Sequence, residues 1–387
     1  MTAVDDAPSR TDRAAAFRAE LRAWLEANLT PEIVAHGAPG LEGENLDELR
    51  EWNRTLADAG WAAPAWPSQF GGRDATLDEQ LAYAEEMSRY DAPGPINVIG
   101  VANIAPAIMV VGTEEQKQRF IRPMLRGDEI WSQGMSEPDA GSDLASLRTR
   151  AELDGDHFVI NGQKIWNSLG HHADWCQLYV RTDPDAPKHK GISCLLVDLH
   201  SPGVEARPLK TMAGDTPFAE LFFEDVRVPR SALLGPLNEG WRVAMTTLSF
   251  ERAGVANFHL GIAKQLDRLV ADLKARGPIT DPRTRDALAR LHSKVAAMRY
   301  MVYRSLETVR QGGTPSLGFG SMVKLLYGSL SQELAALAVD LMGMDGLSEP
   351  WGKRLAGAQS STIAGGTNEI NRNIVAEQAL GLPREPR

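Results

Sequence analysis

The chain of 387 residues contains only two cysteines, Cys176 and Cys194. They lack C-x-x-C spacing, which leaves no disulfide framework and no cysteine zinc site. Both read as small buried hydrophobes of a reducing compartment. Excess positive charge is also missing. Acidic residues outnumber basic ones by 51 to 41, for a net charge of −10. That balance excludes nucleic acid and membrane surfaces as expected partners. No apolar run approaches the ~20 residues of a membrane span. The longest, Val98 to Gly112, is broken by Asn103 and Pro106. The N-terminal stretch MTAVDDAPSRTDR carries acids and no apolar core, so no signal peptide is expected and the chain reads as cytoplasmic. Phosphate-binding patterns are missing too: no G-x-G-x-x-G follows a strand and no G-x-x-x-x-G-K-S/T occurs, and the zinc-binding H-E-x-x-H is absent as well. Gly318-Phe319-Gly320 is only a fragment of the first and reads as a loop before a helix. His171-His172, with no ligand spacing around it, reads as a solvated loop pair; no metal is expected.

What is present is ordinary globular composition, 43% apolar and 24% charged. Three regions follow one another. In residues 1–128 the pattern is helical. Phe17, Leu21, Trp24 and Leu25 recur at helical steps, as do Leu46, Leu49, Trp52 and Leu56. GWAAPAWPSQFGG at 60–72 reads as a linker, and capping boxes at Thr76/Glu79 and Thr113/Gln116 open further helices. In residues 129–237 the period falls to two, with a hairpin signal at Asp154-Gly155-Asp156. This predicts a central antiparallel β-barrel. In residues 238–387, helices are predicted over 240–275, 282–311, 319–342 and 351–379, with Asp281-Pro282 as a start and Gly312-Gly313 as a stop. The fold class is therefore α+β multidomain, ending in a four-helix bundle.

In the first bundle helix, Trp241, Met245, Leu248, Val255, Ile262, Leu266, Leu269 and Leu273 form an apolar stripe. Arg252 and His259 fall inside it and Glu251 on its edge. Charged groups on a bundle-facing surface are costly unless paired or used. Periodicity alone favours an interhelical salt bridge or a snorkelling Arg. A functional pair is the alternative.

Four segments add a resemblance. SEPDAGSDLASLRTRA at 136–151, VINGQKIWNSLGHHADW at 159–175, GPLNEGWRVAM at 235–245 and IAGGTNEINRNIVAEQALGLPR at 363–384 resemble, in order and spacing, the signatures of the acyl-CoA dehydrogenase family. The likeness covers nearly the whole chain and extends to actinobacterial members that shorten sterol side chains. It implies the same three-part fold and a non-covalent FAD between barrel and bundle. By position, Gln133, Met135, Ser136, Gly141 and Ser142 would line the flavin, with Ser142 also near the substrate. Trp166, Asn167 and Ser168 would pack against its ring system. Thr367 and Glu369 would meet flavin, and Ala364 and Gly365 the thioester.

Many family members carry a Glu just before the final Gly-Thr. Here that position is Gly365, which cannot act as a base. Another branch places the base on the first bundle helix, followed by Arg, and FERAG at 250–254 is similar. The resemblance thus assigns Glu251 as the catalytic base, with Ser249 and Arg252 beside the substrate. It implies α,β-dehydrogenation of an acyl thioester, on CoA or an acyl carrier, to a trans-2-enoyl thioester. Glu251 would take the α-proton, the Gly365 amide would polarise the carbonyl, and electrons would leave through an electron-transfer flavoprotein.

Two positions depart from the family pattern. Arg276 in RGPITDP is a weak match to R-x-x-F-G, and Asp340 stands where a Gln is usual. Both would face FAD, and an acid there repels a pyrophosphate. Both departures resemble members that form mixed tetramers with a homologous subunit, so a homotetramer or a mixed tetramer is expected. Rival readings are a flavin oxidase or monooxygenase on the same fold, and a non-enzymatic partner subunit.

Overall fold

The computed structural model describes residues 10–37, 45–254, 257–313, 318–348 and 350–384; the side chains of 10, 11 and 252–254 lie outside the description. The chain divides into two units. The first comprises Met1–Leu209 and Pro217–Thr247, and the second Lys210–Thr216 and Leu248–Arg387.

The first unit opens with helices α1 (Arg10–Asn28), α2 (Pro31–Gly37), α3 (Leu46–Asp58), α4 (Leu77–Arg89), α5 (Ala105–Val111) and α6 (Glu114–Arg126). The expected stripes are the buried faces: Phe17, Leu21 and Leu25 on α1, and Leu49, Trp52 and Leu56 on α3. Both capping boxes form, Thr76 with Glu79 before α4 and Thr113 with Gln116 before α6. The segment expected as a linker is instead core. Trp61, Ala62, Ala63 and Trp66 are buried, and Trp61 meets Phe17 edge-on at 5.1 Å. Its Gly and Pro residues shape turns, while its tryptophans supply large apolar area.

Strands follow: β1 (Trp131–Gly134), β2 (Arg150–Asp154), β3 (His157–Ser168), β4 (Trp175–Arg181), β5 (Ile192–Asp198), β6 (Val204–Leu209) and β7 (Phe218–Pro229). They form one seven-stranded sheet in the order β1-β4-β2-β3-β7-β6, with β5 also on β4. The predicted hairpin is there, Asp154 facing His157 across a two-residue turn with Gly155 at φ +58°. The expectation of purely antiparallel pairing is corrected at two places: β1 pairs β4 in parallel, and β2 meets β4 in parallel at Arg150 and Arg181. Alternation cannot show this, because period two is the same in both pairings. Cys176 and Cys194 are free and buried, in β4 and β5 as expected.

The region expected as one helix over 240–275 is described as α7 (Gly240–Gly254) and α8 (Phe258–Ala275). Ile262, Leu266, Leu269 and Leu273 are buried as the stripe predicts, but Met245 is exposed, and Val255 lies outside the described residues. In the first unit's part of α7 the buried face is Val243, Ala244 and Thr247. Asp281 caps α9 (Pro282–Arg310) through Thr284 N–H, and α10 (Phe319–Met342) has its predicted bounds.

The helix predicted over 351–379 is broken. α11 (Trp351–Gly357) ends early, and α12 (Asn368–Ile374) starts after a turn in which Gly365 and Gly366 have φ of +66° and +85°. Left-handed backbone interrupts a right-handed helix, and glycine adopts it without the Cβ clash. Thr367 then caps α12 by accepting from Ile370 N–H. Among the described residues no helix is long and apolar enough to cross a membrane.

Candidate active site

In the first unit, the two motif segments at 133–137 and 164–168 lie side by side. Ile165 N–H donates to Ser136 O at 3.0 Å, Asn167 Nδ2 to Gln133 O at 2.8 Å, and Ser132 Oγ to Ser168 O at 2.9 Å. Gln133 Nε2 also donates to Gln177 Oε1 at 3.2 Å. Beneath them sits an ion pair that sequence reading did not single out. Lys164 Nζ donates to Glu137 Oε1 at 2.8 Å and to Met135 O at 3.1 Å, with Lys164 fully buried and Glu137 8% exposed. Glu137 accepts in addition from the N–H groups of Arg148 and Thr149. Burial alone would raise the Glu137 pKa. The Lys164 ammonium and these donors outweigh it and hold the carboxyl below its ordinary value. Both residues stand inside the quoted motifs, and the available signal was Lys164, a charge at an inward-facing position of β3.

Trp166 occupies the β-bulge between Lys164 and Asn167 on β3. It has φ +63° and is 58% exposed, meeting Phe218 edge-on at 5.9 Å. A left-handed non-glycine costs about 1–2 kcal/mol, so the bulge presents a large ring outward against a backbone penalty. Next to it Asn167 is buried, and its Oδ1 has no hydrogen-bond partner among the described residues. An exposed aromatic face beside an unsatisfied buried amide oxygen fits a planar heteroaromatic ring with polar edges. Gly141 and Ser142 lie exposed beyond the Glu137–Ala140 bridge. A β-carbon at Gly141 would meet nothing within 4 Å.

In the second unit, tertiary structure brings Glu251 on α7 to the turn before α12. A β-carbon built on Gly365 would stand 3.5 Å from Glu251 Oε1. Ala364, Gly365 and Gly366 are exposed, and Glu251 is half-buried. Ala364 N–H is engaged by Ser360 O, whereas Gly365 N–H has no acceptor among the described residues. The turn rests on α10. Gly328 lets the Ser361 carbonyl approach so closely that an added β-carbon would stand 2.8 Å from it. Lys324 donates to Gly366 O at 2.6 Å, and Asn371 Nδ2 to the same oxygen at 2.8 Å. Lys324 is a further residue missed; its signal was a lone Lys within the apolar run of α10. Glu369, exposed in the first turn of α12, is held below its ordinary pKa by its own backbone N–H and by Thr367.

Other expected site residues lie apart from this turn or outside the description. Ser249 is exposed on α7, and the Arg252 side chain lies outside the described residues. Arg276 caps the end of α8 and donates to Met342 O at 3.0 Å and to Asp345, so it is tied to its own chain just past α10. Asp340, exposed in the last turn of α10, belongs to that same end. The histidine pair is half-buried rather than solvated, its rings 4.0 Å apart, and burial lowers both pKa values. Among the described residues no His, Cys, Asp and Glu group is arranged for a metal.

The first unit thus presents an exposed aromatic ring beside a buried amide oxygen without a partner among the described residues, and the second a carboxylate beside an amide N–H without an acceptor among them. The sequence matches the acyl-CoA dehydrogenase N-terminal domain over residues 11–128, the middle domain over 132–226 and the C-terminal domain over 238–380. It is 41% identical over 382 residues to acyl-CoA dehydrogenase IpdE1 of Mycobacterium tuberculosis, covering 95% of this chain and 98% of that one. It is 33% identical to acyl-CoA dehydrogenase FadE29 of the same species over 384 residues, covering 96% and 97%. Among solved structures, a steroid acyl-CoA dehydrogenase, Tcur3481-Tcur3483, superposes with TM-score 0.86 at 33% identity, over 97% of this chain and 98% of that one. The ChsE4-ChsE5 complex from Mycobacterium tuberculosis gives 0.82 at 31%, over 99% and 100%. The chain belongs to the acyl-CoA dehydrogenase family, oxidoreductases that bind FAD without a covalent bond.

Proposed function

We propose that the chain catalyses α,β-dehydrogenation of an acyl-CoA thioester to the trans-2-enoyl thioester, with Glu251 as the base. The observation that carries this is the 3.5 Å separation between Glu251 Oε1 and the β-carbon position of Gly365. A thioester α-proton is weakly acidic, so its removal needs both a positioned base and stabilisation of charge developing on the carbonyl oxygen. Glu251 takes the α-proton. The Gly365 N–H, free of acceptors among the described residues, donates to the thioester oxygen. Because Gly365 has no side chain, it offers no competing carboxylate and leaves room beside Glu251. A bound FAD would supply the acceptor for the β-hydride, with an electron-transfer flavoprotein as the proposed partner for reoxidation. In the first unit, Trp166, Asn167, Ser168, Gln133, Met135, Ser136, Gly141 and Ser142 would hold a flavin; Thr367 and Glu369 are further candidate flavin contacts.

Relatives in this family include a steroid acyl-CoA dehydrogenase. We therefore infer a substrate with a branched or polycyclic acyl group. The engagement of Arg276 by Met342 O and Asp345, together with the acid at Asp340, favours assembly with a homologous subunit that completes a flavin site. Two free buried thiols suit work in the cytoplasm. The test is anaerobic mixing of the flavin-loaded protein with a panel of acyl-CoA thioesters, from short branched to polycyclic. Bleaching of the flavin with formation of the enoyl thioester is expected. Retained colour across the panel, or rapid peroxide formation in air, would overturn the dehydrogenase reading.

A further inference from the structure

We propose that Lys324 is a positioning residue for catalysis, clamping the Gly365–Gly366 turn so that its amide edge faces the thioester beside Glu251. The inference rests on the function proposed above. Two adjacent glycines in left-handed backbone, with φ of +66° and +85°, have no side chains to lock them. What fixes the turn is its carbonyl. Gly366 O accepts from Lys324 Nζ at 2.6 Å and from Asn371 Nδ2 at 2.8 Å, so both of its lone pairs are engaged. Asn371 Nδ2 also reaches Thr367 O at 3.0 Å, tying the turn to the α12 start.

Lys324 itself is held firmly. It is only 5% exposed on α10, and Asn368 Oδ1 lies 3.5 Å from its ammonium. Burial lowers its pKa and the Glu369 carboxylate opposes this. A buried ammonium is expensive, and a packing role would be met by an apolar residue of similar length. In a planar trans peptide the C=O and N–H point opposite ways. Drawing Gly366 O onto α10 therefore turns Thr367 N–H away from α10 and anchors the turn at the residue next to Gly365. Preorganised donors of this kind stabilise developing negative charge without moving during the reaction.

The test separates proton removal from hydride transfer. A 3-thiaacyl-CoA has sulfur at the β-position and so has an acidic α-proton and no β-hydride. Its α-proton exchange in D2O, on the flavin-loaded enzyme, reads only the base and the donors. Lys324→Met should slow exchange at saturating thioester by about 30-fold or more, with thioester affinity and flavin content little changed. Lys324→Gln, which can still donate to Gly366 O, should lose less. Asn371→Leu, removing the other donor to that oxygen, should slow exchange in the same direction. If Lys324→Met fails to fold, Lys324→Gln and Asn371→Leu carry the test. Exchange near the wild-type rate in the folded variants, whatever their melting temperature, makes Lys324 a structural residue and overturns the proposal. Glu251→Gln run in parallel should abolish exchange. If exchange survives there, the base assignment fails, while the Lys324 variants still judge the clamp by their own ratio.

Discussion

Glu251 and Gly365 face each other across the second unit, the carboxylate oxygen 3.5 Å from where a β-carbon on the glycine would stand. One residue lies on α7 and the other in the turn before α12. A carboxylate attached at either place would start in the same region.

Glu251→Gln keeps the side chain's shape and cannot accept a proton. A positioned base contributes about 10²–10⁴-fold, and the loss is expected at the upper end because Gly365 supplies no substitute. The measurement is the rate of flavin bleaching by saturating substrate in anaerobic stopped flow. Bleaching within a few-fold of the unmodified enzyme would return the Glu251-Arg252 pair to a structural role.

Gly365→Ala places a methyl at ordinary contact distance from Glu251, but at φ +66°. The left-handed backbone should cost about 1–2 kcal/mol of stability, read as a lower midpoint in denaturant. Gly365→Glu in the Glu251→Gln background should recover part of the bleaching rate, since its carboxylate starts beside the vacated base. No recovery in a folded, flavin-loaded double variant would show that the two positions do not converge on the α-carbon.

Glu137→Gln should destabilise the first unit by about 3–5 kcal/mol, because it leaves Lys164 buried without its counter-charge. Glu137 is held below the ordinary carboxylate value of 4.5. Its contribution to stability is therefore fully present above that value and lost as pH falls through the lower folded value. Denaturant melts at falling pH should show this acid limb in the unmodified protein and a shallower one in Glu137→Gln. Equal limbs in the two proteins would place the acid sensitivity elsewhere.

Asp340→Gln removes an acid from the exposed end of α10 and should increase the FAD retained by the chain purified alone. Co-expression with a homologous subunit should give a mixed tetramer in light scattering and raise flavin occupancy without the substitution. A monomer with full FAD occupancy would contradict both expectations.

Much of this protein was legible in its sequence because local rules wrote it there. The stripes of α1, α3 and α8, both capping boxes, the Asp281-Pro282 start and the Gly155 hairpin depend on residues within a few positions of one another. Motif order carried the family and pointed to Glu251 and Gly365. The breaks came where a local pattern was overruled by distant partners. The tryptophan-rich segment 60–72 reads as a linker by its Gly and Pro but is buried by helices before and after it. The parallel β1–β4 pair has the same period as an antiparallel one. The helical pattern over 351–379 gives way at two glycines whose left-handed turn is held from α10 by Lys324. The sequence by itself determined the elements, the family and the chemical groups available. Only the tertiary structure decided that Lys324, Gly366 and Asn371 meet, that Glu137 and Lys164 form a buried pair, and that Glu251 stands beside Gly365. Each of these joins residues far apart in the chain, and such contacts are set by packing rather than by local propensity.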